Sequence, residues 1–347
     1  SHADKELILS SITRSLENPK HVDAFETLFS QLPDTSPSNV VHEILDTKRQ
    51  NVGLELSAAL MARASSEQIQ PLLTEFNSLT EGGLEEEEQD LTAITVEDLV
   101  TKHFDKEELI KLSPKTLNNR VGGGVKPGHH ILIYAPTEMG KTLFAINMVV
   151  GFLRQGKTVL YIGNEDPIAD VAMRFICRMC SQPQHKIEAN PAKAQKMIEM
   201  QGWDRLILKE LAPGTFPQIR GLIGKHKPDV VVIDQLRNID VKSENRTTAL
   251  EKAATEARNI AKGGVVVISL TQAADSASGK LVLNRGDVDS SNIGIPGNMD
   301  VMIGIGANED MERTGLRCIS LAKNKTTGNH SPFNVLFNTA ISKVEEL

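Results

Sequence analysis

The run Ala135-Pro-Thr-Glu-Met-Gly140-Lys141-Thr142 follows an apolar stretch, His130–Ala135, and opens a helical pattern. That is the P-loop signature in its strand–loop–helix setting, with Ala135 where the first glycine usually stands. Such a turn grips a polyphosphate. Main-chain N–H groups of the loop and of the helix start point at phosphate oxygens. Gly140 lets the backbone approach without a Cβ. Lys141 brings a positive charge to the β and γ phosphates, and the Thr142 hydroxyl is a candidate Mg2+ ligand. Ala135 needs only an ordinary strand-end conformation, so its departure from the signature is mild. The candidate nucleotide-binding residues are therefore Ala135, Pro136, Thr137, Glu138, Met139, Gly140, Lys141 and Thr142, and the implied bound groups are ATP and Mg2+.

Three further apolar runs end in polar side chains. Val230-Val-Val-Ile-Asp234 ends in an acid, which a buried strand rarely carries without a partner. Asp234 is the candidate second Mg2+ residue. A helix N-cap is the other role open to it, although Gln235-Leu-Arg-Asn leads into a loop. Leu160-Tyr-Ile-Gly-Asn-Glu165-Asp166-Pro167 puts two carboxylates at a strand end. Glu165 is the candidate for polarising an attacking water. Asp166, before Pro167, reads as the cap of the next helix, and an exchange of the two roles stays open. Val265–Gln272 ends in an amide that can hydrogen-bond a γ-phosphate, or simply lead the strand into a loop.

These residues need a scaffold that brings several strand ends to one edge. From about residue 116, short β-rich runs alternate with helical patterns. Strands are predicted at 130–135, 158–162, 205–208, 230–234, 265–270, 301–304, 316–322 and 332–337. Helices are predicted at 141–154, 167–181, 191–201, 215–226 and 247–262. Apolar strands alternating with helices imply an α/β fold with a parallel sheet covered on both faces. The last strands follow one another without helices and are expected to add antiparallel.

Upstream, residues 4–80 read as all helix, with stretches near Val40–Leu45, Leu54–Met61 and Ile69–Phe76 separated by prolines and Gly53. The acidic run 81–90 reads as a solvated linker. Residues 96–112 read as an amphipathic helix ended by Pro114, its apolar face open to a neighbouring subunit or to its own domain. The expected layout is thus a helical N-terminal domain (1–80), an acidic linker and linker helix (81–115), and a motor domain (116–347).

Bulk properties narrow the field. A net charge of −7 argues against a surface that grips nucleic acid all over, but not against a few DNA-binding loops. Cys177 and Cys180 lie one helical turn apart and read as helix core, because a lone pair lacks the other two ligands of a structural zinc. Three cysteines in all suit a reducing compartment. No apolar run is long enough to span a membrane and no leader pattern opens the chain, so no membrane partner is expected.

The ordered set of Lys141/Thr142, Asn164-Glu165, Ile233-Asp234, Thr271-Gln272 and Lys323-Asn-Lys325-x-x-Gly328 resembles the DnaB-type replicative DNA helicases of bacteria and phages, which are RecA-like ring motors. The resemblance covers roughly residues 116–340. It implies a RecA-like P-loop motor domain with a mostly parallel sheet, a hexameric ring of identical subunits, and nucleotide held between neighbours. It also implies single-stranded or forked DNA as partner, a primase or helicase loader as a further one, and the cytoplasm of a bacterium or phage-infected host. In that light Glu165 is the catalytic base, and Gln272 couples the γ-phosphate to DNA. Lys323 and Lys325 fall on the family's Lys-x-Arg, which reaches into the neighbouring site. Lys325 stands in for arginine there, a cation without the planar fork. DNA contacts would come from Arg237, Lys242 and Arg246 in one loop and Lys280 and Arg285 in another, the latter loop also holding three aspartates. A filament-forming recombination ATPase and a non-translocating loader share most of these motifs and stand as alternatives.

Overall fold

Short, wholly apolar strands must be covered on both faces, and the chain builds such a layered sheet. The computed structural model describes residues 37–81, 109–243, 245–289 and 294–347, in two units, Ser1–Leu99 and Val100–Leu347. The readings for residues 1–36, the acidic run 82–90 and most of the linker helix lie outside the described residues.

In the first unit, α1 (Pro37–Met61) and α2 (Ser66–Glu81) pack together. The break expected at Gly53 does not occur. A Cβ there would lie 3.1 Å from the Phe76 ring, so this glycine serves close helix contact within a continuous helix.

The second unit runs α3 (Lys115–Arg120), β1 (His130–Ala135), α4 (Lys141–Arg154), β2 (Val159–Gly163), α5 (Ile168–Cys180), α6 (Gln184–Ala189), α7 (Pro191–Glu199), β3 (Leu206–Glu210) and α8 (Phe216–His226). It continues with β4 (Val230–Asp234), α9 (Arg246–Lys262), β5 (Val266–Gln272), α10 (Gly294–Gly297), β6 (Val301–Gly306), α11 (Glu309–Thr314), β7 (Leu316–Asn324), β8 (Phe333–Asn338) and β9 (Lys343–Glu346). The sheet order is β3-β2-β4-β5-β1-β6-β7-β8-β9. The first six in that order are parallel, and β7, β8 and β9 join antiparallel.

Side chains alternate between two cores. Ile131 and Ile133 of β1 pack with Phe144, Phe152 and Phe175 from α4 and α5, whereas Leu132 and Tyr134 pack with Ile219, Leu250 and Ala254 from α8 and α9. Each fully buried Ile or Leu contributes about 1.5–3 kcal/mol. Cys177 and Cys180 are buried free thiols on α5. Residues 109–112, expected to end a helix, are extended. Ile110 bridges Val125 antiparallel, and Ile110 and Leu112 are buried in this unit's own core. Gly124 permits this crossing, since a Cβ there would sit 2.7 Å from the Ile110 carbonyl. The short β9 was not legible, because Lys343-Val-Glu-Glu346 has one apolar residue and its pairing partner is set by the tertiary fold.

His130 begins β1 fully buried. Its Nε2 lies 2.9 Å from Ser269 Oγ and its Nδ1 3.2 Å from the Asn298 carbonyl. Burial, opposed by that carbonyl and reinforced by the charge of Arg258, lowers its pKa to about 4 from an ordinary 6.5. A depressed histidine is neutral when folded, so the unfolded chain binds the extra proton as pH falls below the ordinary value. This contribution is complete above about pH 6.5 and lost as pH drops toward 4. Between pH 7.5 and 5 it amounts to about 2 kcal/mol. In urea unfolding, the stability gap between the native sequence and His130→Gln therefore narrows by about that amount at pH 5; a gap independent of pH would show that His130 titrates alike in the folded and unfolded chain.

Candidate active site

The carboxyl ends of β1, β2, β4 and β5 lie side by side, as their parallel registers require. The Pro136–Gly140 loop joins β1 to α4 there. Ala135 is buried as an ordinary last strand residue, while Gly140 has φ 91° and Glu138 φ 63°. A Cβ on Gly140 would come within 2.7 Å of the Phe337 ring. Phe337, from β8, stacks near Phe144 of α4, and Arg317 of β7 donates from Nε to the Met139 carbonyl at 3.3 Å. The antiparallel strands thus brace the phosphate loop, a role sequence reading missed because nothing near residues 317 and 337 marks them as neighbours of 139.

A cavity of about 550 Å³ opens beside this loop, lined by Thr137, Glu138, Gly140, Lys141, Thr142, Leu143, Glu165, Asp166, Arg174, Gln272, Thr339 and Ser342. Lys141 is buried, with Nζ 3.4 Å from the Pro136 carbonyl. Burial lowers its pKa, and the charges of Glu165 and Asp234 oppose that.

Thr142 Oγ1 donates to Asp234 Oδ2 at 2.9 Å, so the two candidate Mg2+ residues, ninety-two positions apart, meet. The Tyr161 hydroxyl donates to the same oxygen at 2.5 Å. Asp234 Oδ1 is buried with no hydrogen-bond partner. Burial pushes this carboxyl up to about 6, the bonds from Tyr161 and Thr142 pull it down, and the Glu165 charge raises it. An orphaned carboxylate oxygen beside a hydroxyl fits a hard divalent cation. Among the described residues no three acidic, imidazole or thiol groups gather into a cage; a nucleotide-bound Mg2+ takes most of its oxygens from phosphate and water.

Asn164 ties β2 to β4. Its backbone N–H donates to the Asp234 carbonyl at 2.8 Å, and its side chain exchanges two hydrogen bonds with the Gln235 backbone. Gln235 in turn donates from Nε2 to Glu165. Sequence reading missed Tyr161, Asn164 and Gln235 as supports. Asn164 and Gln235 stand next to the marked acids, which was the available signal; Tyr161 stands next to neither and carried none.

Asp166 does not cap α5 as expected. Pro167 occupies the N-cap position without a side-chain cap, and Asp166 instead pairs with Arg174 at 2.8 Å. An arginine within reach offers a carboxylate a stronger, charged hydrogen bond than a helix-end N–H. Gln272 accepts from Arg237, which lies 3.9 Å from Asp289; Arg246 lies 3.7 Å from the same carboxylate. The end of β5 is thereby wired to both loops read as DNA-facing. Within those loops Lys242 and Arg246 are exposed, Lys280 is paired with the buried Asp287 at 2.6 Å, and Arg285 donates to the Ala322 carbonyl at 2.9 Å. Residues 244 and 290–293 lie outside the described residues.

Lys323 and Lys325 do not join this cavity. β7 is antiparallel, so its end sits at the sheet's amino edge, where Lys323 donates to the Pro296 carbonyl and Lys325 pairs with Asp300 at 3.3 Å. Burial lowers the Lys323 pKa, as does the charge of Lys325.

The family model described as the AAA domain matches residues 96–276, more than half of the chain, and spans the phosphate loop, Glu165, Asp234 and Gln272. The chain belongs to the AAA-domain family. As an AAA-domain protein it is a nucleotide-binding P-loop NTPase. A curated relative, a "DnaB-like replicative helicase" of Enterobacteria phage T4, is 24% identical over 244 residues, covering 64% of this chain and 51% of the relative. The chain thus spans about half the length of the curated relative it matches. Among solved structures, one determined as a separate ATPase domain superposes with a TM-score of 0.61 at 20% identity, covering 72% of this chain and 98% of that one. A DnaB-like replicative helicase, studied with its primase interactions, gives 0.69 at 16% identity over 98% of this chain and 87% of the other. The mostly parallel, RecA-like ATPase fold and the resemblance to DnaB-type helicases drawn from the motifs both stand.

Proposed function

We propose that this AAA-domain NTPase is an ATP-dependent replicative DNA helicase, working as a ring of identical subunits, a hexamer, that translocates on single-stranded DNA and unwinds a fork. The observation that carries the ring reading is the position of Lys323 and Lys325. They stand at the amino edge of the sheet, across the length of β1 from the phosphate loop of the same chain. Six strand residues rise roughly 20 Å. A lysine at that edge serves a triphosphate only in a second subunit.

In this reading the loop amides and Lys141 bind the β and γ phosphates, while Thr142 and Asp234 hold Mg2+, which when bound neutralises phosphate charge. Glu165, oriented by Gln235, takes the proton of the attacking water. Gln272, through Arg237, Asp289 and Arg246, passes the state of the γ-phosphate to the DNA-facing loops. Exposed Lys242 and Arg246 are better placed for phosphate contacts than Arg237, Lys280 and Arg285, whose polar heads are engaged more closely within the subunit. A primase or helicase loader is the expected protein partner, and the work takes place in a bacterial or phage-infected cytoplasm. Among the described residues no helix is long and apolar enough to cross a membrane.

Subunit mixing tests the reading. Lys141→Ala and Lys325→Ala are each expected to hydrolyse ATP poorly alone. Mixed, they recover part of the activity, because some interfaces pair an intact phosphate loop with an intact Lys325. No recovery on mixing would refute shared sites, and absence of strand displacement on a forked substrate would favour the filament or loader alternatives. Electron microscopy with an ATP analogue distinguishes ring from filament.

A further inference from the structure

Asp234 and its neighbours contain an arrangement that the phosphate-binding reading does not use. Tyr161 lies in β2 two residues before Gly163, which is in register with Asp234 of β4. Residues two apart share a face of the sheet, and two residues advance roughly 6.6 Å, a distance a tyrosine ring spans. Gly163 lies between them without a side chain; a Cβ there would press on Ile168 at 3.1 Å and meet the Tyr161 ring edge only in ordinary contact, at 4.0 Å. The ring is fully buried and fixed edge-on against Phe175, centroids 5.4 Å apart at 89°. Its hydroxyl ends 2.5 Å from Asp234 Oδ2, the oxygen that Thr142 also occupies at 2.9 Å.

We propose that Tyr161 is a positioning residue for the metal-binding carboxylate: with Thr142 it holds both hydrogen bonds to Oδ2 and so reserves Oδ1 for the cation. The inference rests on the reading of Asp234 as the Mg2+-side acid. A buried carboxylate oxygen left without a partner costs roughly 1–3 kcal/mol, more for a charged group. The side chain would otherwise turn to share its oxygens between the available donors. The buried phenol, held edge-on to Phe175 and donating to Oδ2, opposes that rotation. Partners that orient a metal ligand from behind typically change metal affinity about 10–100-fold when removed. Tyr161→Phe keeps the ring and its contact with Phe175 and deletes only the donor.

The full chain is tested with Mn2+ as the probe, free Mn2+ being counted by electron paramagnetic resonance in the presence of saturating ADP. Tyr161→Phe is expected to weaken Mn2+ about 10-fold or more, with ADP affinity in EDTA unchanged within about twofold. Asp234→Asn is run alongside. If it weakens Mn2+ and Tyr161→Phe does not, the positioning role falls and the assignment of Asp234 survives. If neither moves Mn2+, the assignment itself falls. A second measurement leaves the side chain in place. The chain has two tyrosines, so 3-fluorotyrosine labelling gives two 19F resonances, assigned with Tyr134→Phe. Adding MgCl2 to the ADP-bound protein should shift the Tyr161 signal and leave Tyr134, which donates to the Asn284 carbonyl on the other face, in place. A Tyr161 signal that ignores Mg2+ would overturn the proposal.

Discussion

Replacing Lys141 with alanine is expected to abolish ATP hydrolysis, by at least about 1,000-fold, and DNA unwinding with it. The cavity at the carboxyl edge has two cations in its lining. Arg174 is committed to Asp166, whereas Lys141 makes a long hydrogen bond to its own loop carbonyl, at 3.4 Å. The lysine is 7% exposed, so its charge is held in place largely screened from bulk water. Removing one preorganised donor from such a site costs about 100–1,000-fold in turnover, and this donor reaches two phosphates. The loop itself is held by Gly140, Phe337 and Arg317, none of which depends on the lysine side chain, so the variant should still fold. Steady-state hydrolysis and strand displacement, with thermal unfolding as control, check this. Surviving hydrolysis would mean that the phosphates bind elsewhere.

The second large effect is expected at Glu165. Exchange for glutamine keeps the shape and the neighbour Gln235 but removes the base. Turnover should fall about 100–10,000-fold, the range of general-base catalysis. Nucleotide binding should be preserved or tightened, because a carboxylate facing the phosphates disappears. Single-turnover hydrolysis beside binding of a fluorescent ATP analogue separates the two quantities. Asp166→Asn is the matched control: Asp166 is engaged with Arg174, so its loss should leave the chemical step within about tenfold, the weakening expected when a half-exposed ion pair worth roughly 0.2–1 kcal/mol is removed. Normal turnover in Glu165→Gln together with a collapse in Asp166→Asn would exchange their roles.

The motor's strands and helices were legible because their signals are local. His130–Ala135 and Val230–Asp234 are continuous apolar runs, and both are fully buried strands with the expected bounds. The helix 141–154 likewise matches its prediction residue for residue. Errors came where a distant contact outbid a local rule. Gly53 reads as a helix breaker but is a packing surface for Phe76, and residues 109–112 carry helical spacing yet are not helical, Ile110 bridging Val125. Asp166 has the sequence of a cap, and an arginine eight positions on takes it instead.

By itself, then, the sequence determined the type of chemistry and the order of its parts: a phosphate loop, two acids and an amide, each at the end of a buried strand. Strand ends are read locally, since side-chain periodicity and turn residues report what the backbone does within a few positions. Only the tertiary structure decided which of those groups meet. It put Thr142 and Tyr161 on one carboxylate oxygen of Asp234 and set Gln235 behind Glu165. By running β7 antiparallel, it carried Lys323 and Lys325 to the edge opposite the cavity. Sheet order and strand direction fix such meetings, and both arise from long-range burial that no short stretch of residues encodes.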